Sequence, residues 1–274
     1  MARGIAVVPF ARAGGIDIYY ELRGEGPRVL VISGTGGDLR RRPGLASLLG
    51  KGFTTLSYDQ RGLGQSDIPD GPYCMAGYAA DAAALLDAVG WDQCMIMGTS
   101  FGGMVAQEFA ATFPERVERL VLNCTSSGGG GNSSYPLHKL QALDSEMRIR
   151  TQLRLSDIRI TPEWEDNNKQ EFDALLAQRR KMNAIGEDSP RRALGKRLQL
   201  EARIQHDAFD RLPLLTMPVL VCAGTYDGIA PPKNGRAIAS QIPGARYEEF
   251  RGGHGFFWQD ADAAERIIAF LLSK

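Results

Sequence analysis

Residues 95–110 read MIMGTSFGGMVAQEFA, and they set one serine between small residues where an apolar run gives way to a helical pattern. The spacing Gly98-Thr99-Ser100-Phe101-Gly102 fits G-x-S-x-G, a sharp strand-to-helix turn that exposes a nucleophilic Ser. Such a turn strains the backbone at Ser100, so its neighbours two residues away must lack bulk. Gly98 and Gly102 meet that need, and Gly103 allows the following helix to lie close to the strands. A serine hydroxyl is a poor nucleophile near neutral pH. It needs a base within hydrogen-bond reach, and that base needs an orienting partner.

Three histidines compete for the role of base. His138 follows a Pro closely, His206 sits among polar residues on an expected helix, and His254 lies in the Gly-flanked segment RGGHGFFWQD directly after the strand-like ARYEEF. Catalytic groups of open parallel sheets gather at the carboxyl ends of strands, which favours His254. The acid should come from another strand end. VLVCAGTYDGIAPP, residues 219–232, presents Asp227 just past an apolar run, although a helix cap or turn is a common alternative use of Asp there. The tetrahedral oxyanion also needs donors. The Phe101 N–H follows the nucleophile, and the Gly34-Thr35-Gly36-Gly37 loop after RVLVIS offers a second donor, Thr35 first and Gly36 next.

These groups must be positioned by a scaffold, and the sequence alternates strand-like with helix-like runs. Residues 4–10 and 16–22, joined through Gly14-Gly15, read as an opening hairpin. Strand-like runs follow at 28–33, 54–59, 94–97, 119–124, 218–224 and 245–250, several of them continuously apolar, as central strands covered on both faces are. Helical patterns occupy 78–90, 102–113 and 264–274. This alternation predicts a mostly parallel sheet with helices on both faces. Between about residues 126 and 212 it breaks. A Gly/Ser-rich stretch at 126–134 reads as a hinge or lid loop, followed by some 75 residues rich in Arg, Glu, Gln and Leu without a convincing strand. The expected organisation is a core of 1–125 and 213–274 carrying a helical insertion of 126–212.

Composition narrows the classes of function. The 32 basic and 32 acidic residues cancel, which removes the electrostatic case for nucleic acid or a membrane surface. No stretch of about 20 apolar residues offers a transmembrane span, and the apolar part of the opening MARGIAVVPFARAGG is too short to read as a signal peptide. Cys74, Cys94, Cys124 and Cys222 are widely spaced, and three of them lie in apolar runs where Cys behaves as a small hydrophobe. A reduced, cytoplasmic setting is expected. Three scattered histidines without ligand spacing argue against a zinc site, and no cofactor is expected.

With these motifs in place, the chain resembles α/β-hydrolase-fold enzymes along essentially its whole length. The order Ser100, Asp227, His254 is that superfamily's triad order. YDQRGLGQSD, residues 58–67, is similar to its D-x-R-G-x-G-x-S loop, where Asp59, Arg61, Gly62 and Gly64 are structural. One departure is Ser33-Gly34, where most relatives carry His-Gly after the third strand. The resemblance implies an eight-stranded sheet whose second strand is antiparallel, with the 126–212 insertion as a helical cap. Ser at the nucleophile position separates the chain from the dehalogenase and epoxide hydrolase branches. GTSFGGMVAQEFA together with the insertion looks most similar to the 3-oxoadipate enol-lactonase-like group.

The implied activity is a serine hydrolase of small esters or lactones, with a small-molecule substrate as its partner. A carbon–carbon hydrolase of ring-cleavage products, a cofactor-free perhydrolase and a hydrolase-fold ligand receptor remain alternatives with the same residues. Trp164, Met147 and Phe172 are possible cap linings or cap core, and Arg150, Arg154 and Arg159 are the cap arginines that could face a substrate carboxylate.

Overall fold

A computed structural model describes residues 9–186 and 191–273 of the chain. It opens with a hairpin of β1 (Phe10–Ala13) and β2 (Ile16–Arg23). Ala13 pairs with Ile16, so Gly14 and Gly15 are the two turn residues, at φ 57° and 81°. Positive φ at both central positions is what the type I′ form of a two-residue hairpin turn requires. The turn places the end of the first arm at Ala13 rather than the expected residue 10; residues 4–8 of the expected strand lie outside the described residues.

The remaining strands are β3 (Arg28–Ile32), β4 (Thr54–Tyr58), β5 (Cys94–Thr99), β6 (Val117–Asn123), β7 (Val219–Gly224) and β8 (Arg246–Phe250). Together they form one eight-stranded sheet in the order β1-β2-β4-β3-β5-β6-β7-β8. β2 is antiparallel to both of its neighbours, and every other pairing is parallel.

Alternation along each strand sorts side chains onto two faces. Leu30, Ile32, Leu56, Ile96, Leu120 and Leu122 pack under α1 (Met75–Ala88) and α2 (Phe101–Thr112). Their alternates Val29, Val31, Met95, Met97 and Val121 face the other way. The segment joining β6 to β7 contains 3₁₀ turns and four helices, α3 (Ser145–Ser156), α4 (Pro162–Asn167), α5 (Lys169–Ala184) and α6 (Arg192–Ile204), with no strand among its described residues. A small core of Ile149, Leu153, Phe172 and Leu176 holds α3 against α5. The chain then returns through α7 (Pro232–Gln241), α8 (Phe256–Gln259) and α9 (Ala261–Leu272), whose Ile267, Phe270 and Leu271 cover the second sheet face.

The YDQRGLGQSD loop is structural, as its pattern implied. Asp59 is buried and its carboxylate accepts the Leu39 and Gln65 amides at 2.7 and 2.8 Å, tying the loops after β3 and β4 together. Burial outweighs those two bonds and lifts its pKa to about 6. Arg61 forms a two-pronged pair with Asp81 of α1, at 2.5 and 2.6 Å. Gln60 donates to the Ser33 carbonyl at 2.8 Å, so Ser33 is fixed from the neighbouring strand end.

The Arg61–Asp81 pair yields a stability prediction, since the Asp81 side chain is only 1% exposed. Arg61→Ala leaves that carboxylate buried without its counter-charge and should cost about 3–5 kcal/mol in urea unfolding. Replacing both partners with apolar residues should recover most of the loss.

Candidate active site

Ser100 stands between the end of β5 and the start of α2 at φ 56°, ψ −116°, a left-handed region that side chains rarely adopt. Three contacts hold it there. Its N–H donates to the Asn123 carbonyl at 2.8 Å, and its carbonyl accepts the Gly103 N–H at 2.9 Å and the Thr125 hydroxyl at 2.8 Å. The glycines around it are demanded by space. A Cβ on Gly102 would lie 2.2 Å from the Ile32 carbonyl oxygen, and one on Gly98 2.5 Å from that of Gly102.

Asp227 and His254 come from the loops after β7 and β8, whose carboxyl ends lie on the same edge as that of β5. Asp227 Oδ1 accepts the Ile229 and Ala230 amides at 2.7 and 2.9 Å. Its Oδ2 lies 2.7 Å from His254 Nδ1. An ionised carboxylate only accepts hydrogen bonds, so Nδ1 carries the proton and the Nε2 lone pair is free. That Nε2 stands 2.9 Å from Ser100 Oγ, positioned to accept the hydroxyl proton. The three expected residues thus form one continuous chain of hydrogen bonds. His206 is spent elsewhere, its Nε2–H donating to the Ser126 carbonyl at 3.1 Å, and His138 lies on the 3₁₀ turn Leu137–Ala142.

The other predicted loop also reaches Ser100. The Gly37 N–H closes a turn on the Gly34 carbonyl at 3.1 Å, and Gly36 takes φ 69° at its third position. A Cβ on Gly34 would be 3.3 Å from that of Ser100, so the loop runs directly against the nucleophile position. The Gly36 amide is not available as a donor, because it is bonded to Gln199 Oε1 of α6 at 2.8 Å. Phe101 is the first residue of α2, and its N–H has no intrahelical acceptor.

The α3 helix docks end-on against this machinery. Its last-turn carbonyls, which an isolated helix leaves unsatisfied, accept from the two loops: Leu155 from the Gly228 N–H at 2.9 Å and Ser156 from the His254 N–H at 2.6 Å. The arginines raised as carboxylate readers are already committed to acids of the same segment. Arg150 and Arg154 pair with Glu165, Arg150 also with Glu146, and Arg159 with Asp157. Phe172 and Trp164 belong to the small core of the insertion, and Met147 is half exposed. A cavity of about 1010 Å³ adjoins the Thr35 loop, lined by Thr35, Val31, Ser33, Thr55 and Ser57 and by none of Ser100, Asp227 and His254.

Three groups at this edge are not singled out by the sequence: Cys124, Gln199 and Arg203. The Cys124 thiol, the Asp227 carboxylate and the His254 ring lie within 4.8 Å of one another. They are the one cluster of metal-type donors among the described residues, but the Asp227–His254 bond already occupies two of its members. The VLNC run read as buried strand; the signal lay in Cys124 being the first residue past the carboxyl end of β6, at φ 41°.

Electrostatics separate the two buried histidines. For His254, burial lowers the imidazole pKa, but the Asp227 carboxylate bonded to its Nδ1 raises it and prevails, leaving it above the ordinary value. Burial also pushes the Cys124 thiol up, so it remains protonated near neutrality. For His206, burial dominates and drives the pKa down to about 4.

Comparison with known proteins bears on the family and the fold. The sequence pattern of the alpha/beta hydrolase fold family matches residues 27–261. The chain belongs to that family. Among solved alpha/beta hydrolase relatives, the enol-lactonase from Burkholderia xenovorans LB400 superposes with a TM-score of 0.79 at 26% identity, covering 97% of this chain and 100% of that one. In sequence, a putative carbamate hydrolase RutD of Azorhizobium caulinodans is 28% identical over 91% of this chain and 92% of its own length. A poly(3-hydroxyalkanoate) depolymerase of Ectopseudomonas oleovorans is 28% identical over 90% and 84%.

The opposed histidine environments predict a titration result readable by NMR. The His254 ring should titrate with a midpoint above 6.5, because its cationic form is the one Asp227 stabilises, and Asp227→Asn should lower that midpoint. His206 should stay neutral until the pH falls to about 4. A His254 midpoint at or below 6.5 in the unaltered protein would contradict the assignment.

Proposed function

We propose that the protein is a serine hydrolase cleaving small carboxylic esters or lactones through Ser100, His254 and Asp227. The observation that carries this reading is the unbroken hydrogen-bond chain from a strained Ser100 through His254 to a buried Asp227. The names of its relatives, an enol-lactonase, a polyester depolymerase and a putative carbamate hydrolase, are compatible with attack on an acyl carbon.

In this mechanism Ser100 Oγ attacks the carbonyl carbon while its proton passes to His254 Nε2. Asp227 keeps the ring in the productive tautomer and stabilises the imidazolium. The negative charge that develops on the carbonyl oxygen is received by the Phe101 and Thr35 amides, each worth about 3–4 kcal/mol in the transition state. Collapse of the tetrahedral intermediate breaks the bond to the leaving oxygen. His254 returns its proton to that alkoxide or enolate, leaving an acyl ester on Ser100. A water, deprotonated by the same ring, repeats the sequence and releases the acid. No step requires a cofactor or metal. Residues 126–212 act as a cap that covers the site and selects the substrate, and the bonds from Leu155 and Ser156 to the catalytic loops support that role.

The test is hydrolysis of p-nitrophenyl acetate by the purified protein beside Ser100→Ala. The substitution should lower kcat by about 10⁴–10⁶-fold with the fold intact by circular dichroism. Equal turnover by both proteins would remove Ser100 as nucleophile.

A further inference from the structure

We infer that Gln199 of α6 is a positioning residue for the oxyanion site: it fixes the turn that presents the Thr35 amide, and so acts on the transition state rather than on substrate binding. The inference rests on the proposed hydrolase reading and deepens it. It begins with the four residues Gly34-Thr35-Gly36-Gly37. The Gly37 N–H donates to the Gly34 carbonyl at 3.1 Å, Gly36 takes φ 69°, and Thr35 lies outside the left-handed region. Positive φ at the third position alone defines a type II turn, for which glycine is the usual residue. The type I turn differs from it by rotation of the central peptide, here the one joining Thr35 to Gly36. Both forms can keep the bond from Gly37 to Gly34, so that bond does not choose between them.

Gln199 makes the choice. Its Oε1 accepts the Gly36 N–H at 2.8 Å, a bond that exists only with the central peptide in its present orientation. The rest of the loop is held from elsewhere. Gln60 donates to the Ser33 carbonyl at 2.8 Å, Asp59 accepts the Leu39 N–H at 2.7 Å, and Arg41 Nη1 donates to the Gly36 carbonyl at 2.8 Å. Among the described residues, only the bond from Gln199 reaches the peptide between Thr35 and Gly36. Contact with Ser100 at Gly34 stops the loop from moving toward the nucleophile, but it does not restrain rotation of that peptide.

The acceptor is itself firmly placed. Gln199 is 1% exposed. One turn earlier on α6, a Cβ on Gly195 would stand 2.0 Å from the Gly62 carbonyl oxygen, so the helix lies directly against the loop after β4. One turn later, Arg203 Nη2 donates to Ser134 Oγ at 2.5 Å and to the Tyr135 carbonyl at 3.0 Å. The helix is thus anchored on both sides of the bond. The Thr35 N–H, by contrast, has no acceptor among the described residues, as a donor kept for the substrate should. Such a donor matters most once negative charge has developed on the carbonyl oxygen, so an error in its position falls on kcat.

The test is a double-mutant cycle read by p-nitrophenyl butyrate hydrolysis, with the fold followed by circular dichroism. Gln199→Met keeps the volume and removes the acceptor; it should lower kcat about 10–100-fold and leave KM within about twofold. Thr35→Pro deletes the backbone N–H at a turn position that favours proline. Read against Thr35→Ala, which loses the same hydroxyl but keeps the amide, it should lower kcat about 10²–10³-fold. The two changes together should lose no more than Thr35→Pro alone, because Gln199 acts through that amide. A residue that only stabilises the fold would give losses that multiply. Unchanged kcat in Gln199→Met, a change in KM in place of kcat, or multiplied losses overturns the inference and leaves the hydrolase reading standing. Should Gln199→Met fail to fold, Gln199→Leu takes its place in the cycle. If Ser100→Ala turns over the ester as fast as the unaltered protein, the hydrolase reading fails and the inference falls with it.

Discussion

The backbone conformation of Ser100 is the constraint on which the rest of the site depends. A serine at positive φ costs about 1–3 kcal/mol, so its surroundings must over-determine it. They do so from three directions. β3 and β5 lie so close to α2 that no side-chain carbon fits on Gly98 or Gly102. The end of β6 grips the Ser100 peptide on both sides, through the Asn123 carbonyl and the Thr125 hydroxyl. The loop after β3 leans on its Cβ through Gly34. The same crowding that strains the residue brings its hydroxyl to the strand edge where the loops from β7 and β8 can meet it.

The helices between β6 and β7 are not a separate appendage. Their attachments run through backbone groups of the loops that hold the candidate residues: Leu155 to Gly228, Ser156 to His254, and Gln199 to Gly36. In the Leu155 and Ser156 bonds both partners are backbone, so no rotamer freedom intervenes, and the Gln199 bond is made by a buried side chain. A shift of α3 or α6 therefore moves the imidazole or the Thr35 loop with it. The insertion and the loops that carry Thr35 and His254 are thus mechanically continuous.

Buried polar groups divide into two kinds here. Arg61 with Asp81, and Asp59 with its two amides, are fully engaged and hold loops to the core. Gln199 and Arg203 of α6 are only half engaged: each bonds a neighbouring loop, while Gln199 Nε2 and Arg203 Nη1 have no partner. Proteins rarely leave buried donors open.

Much of this was legible in the chain. Gly14-Gly15 between alternating runs specified the hairpin, and continuous apolar runs marked the doubly covered strands. The Ser100 turn, Asp227 and His254 could be chosen because each lies at the end of a strand, and parallel strands deliver their ends to one edge. Local pattern was enough there, since the sheet makes the long-range placement automatic. Tertiary structure alone decided the rest. Helical periodicity in 136–211 gives helices but not what they lie against, so Arg150, Arg154 and Arg159 could not be distinguished from Arg203 by sequence. Only packing shows the first three facing acids and the last facing none among the described residues. Cys124 read as one more strand residue, and Gly36 as the second choice of donor after Thr35, until β6 and α6 were placed beside them. Chemistry carried by strand ends is written in the order of residues; chemistry carried by a helix crossing those ends depends on its packing angle and register, which no local pattern encodes.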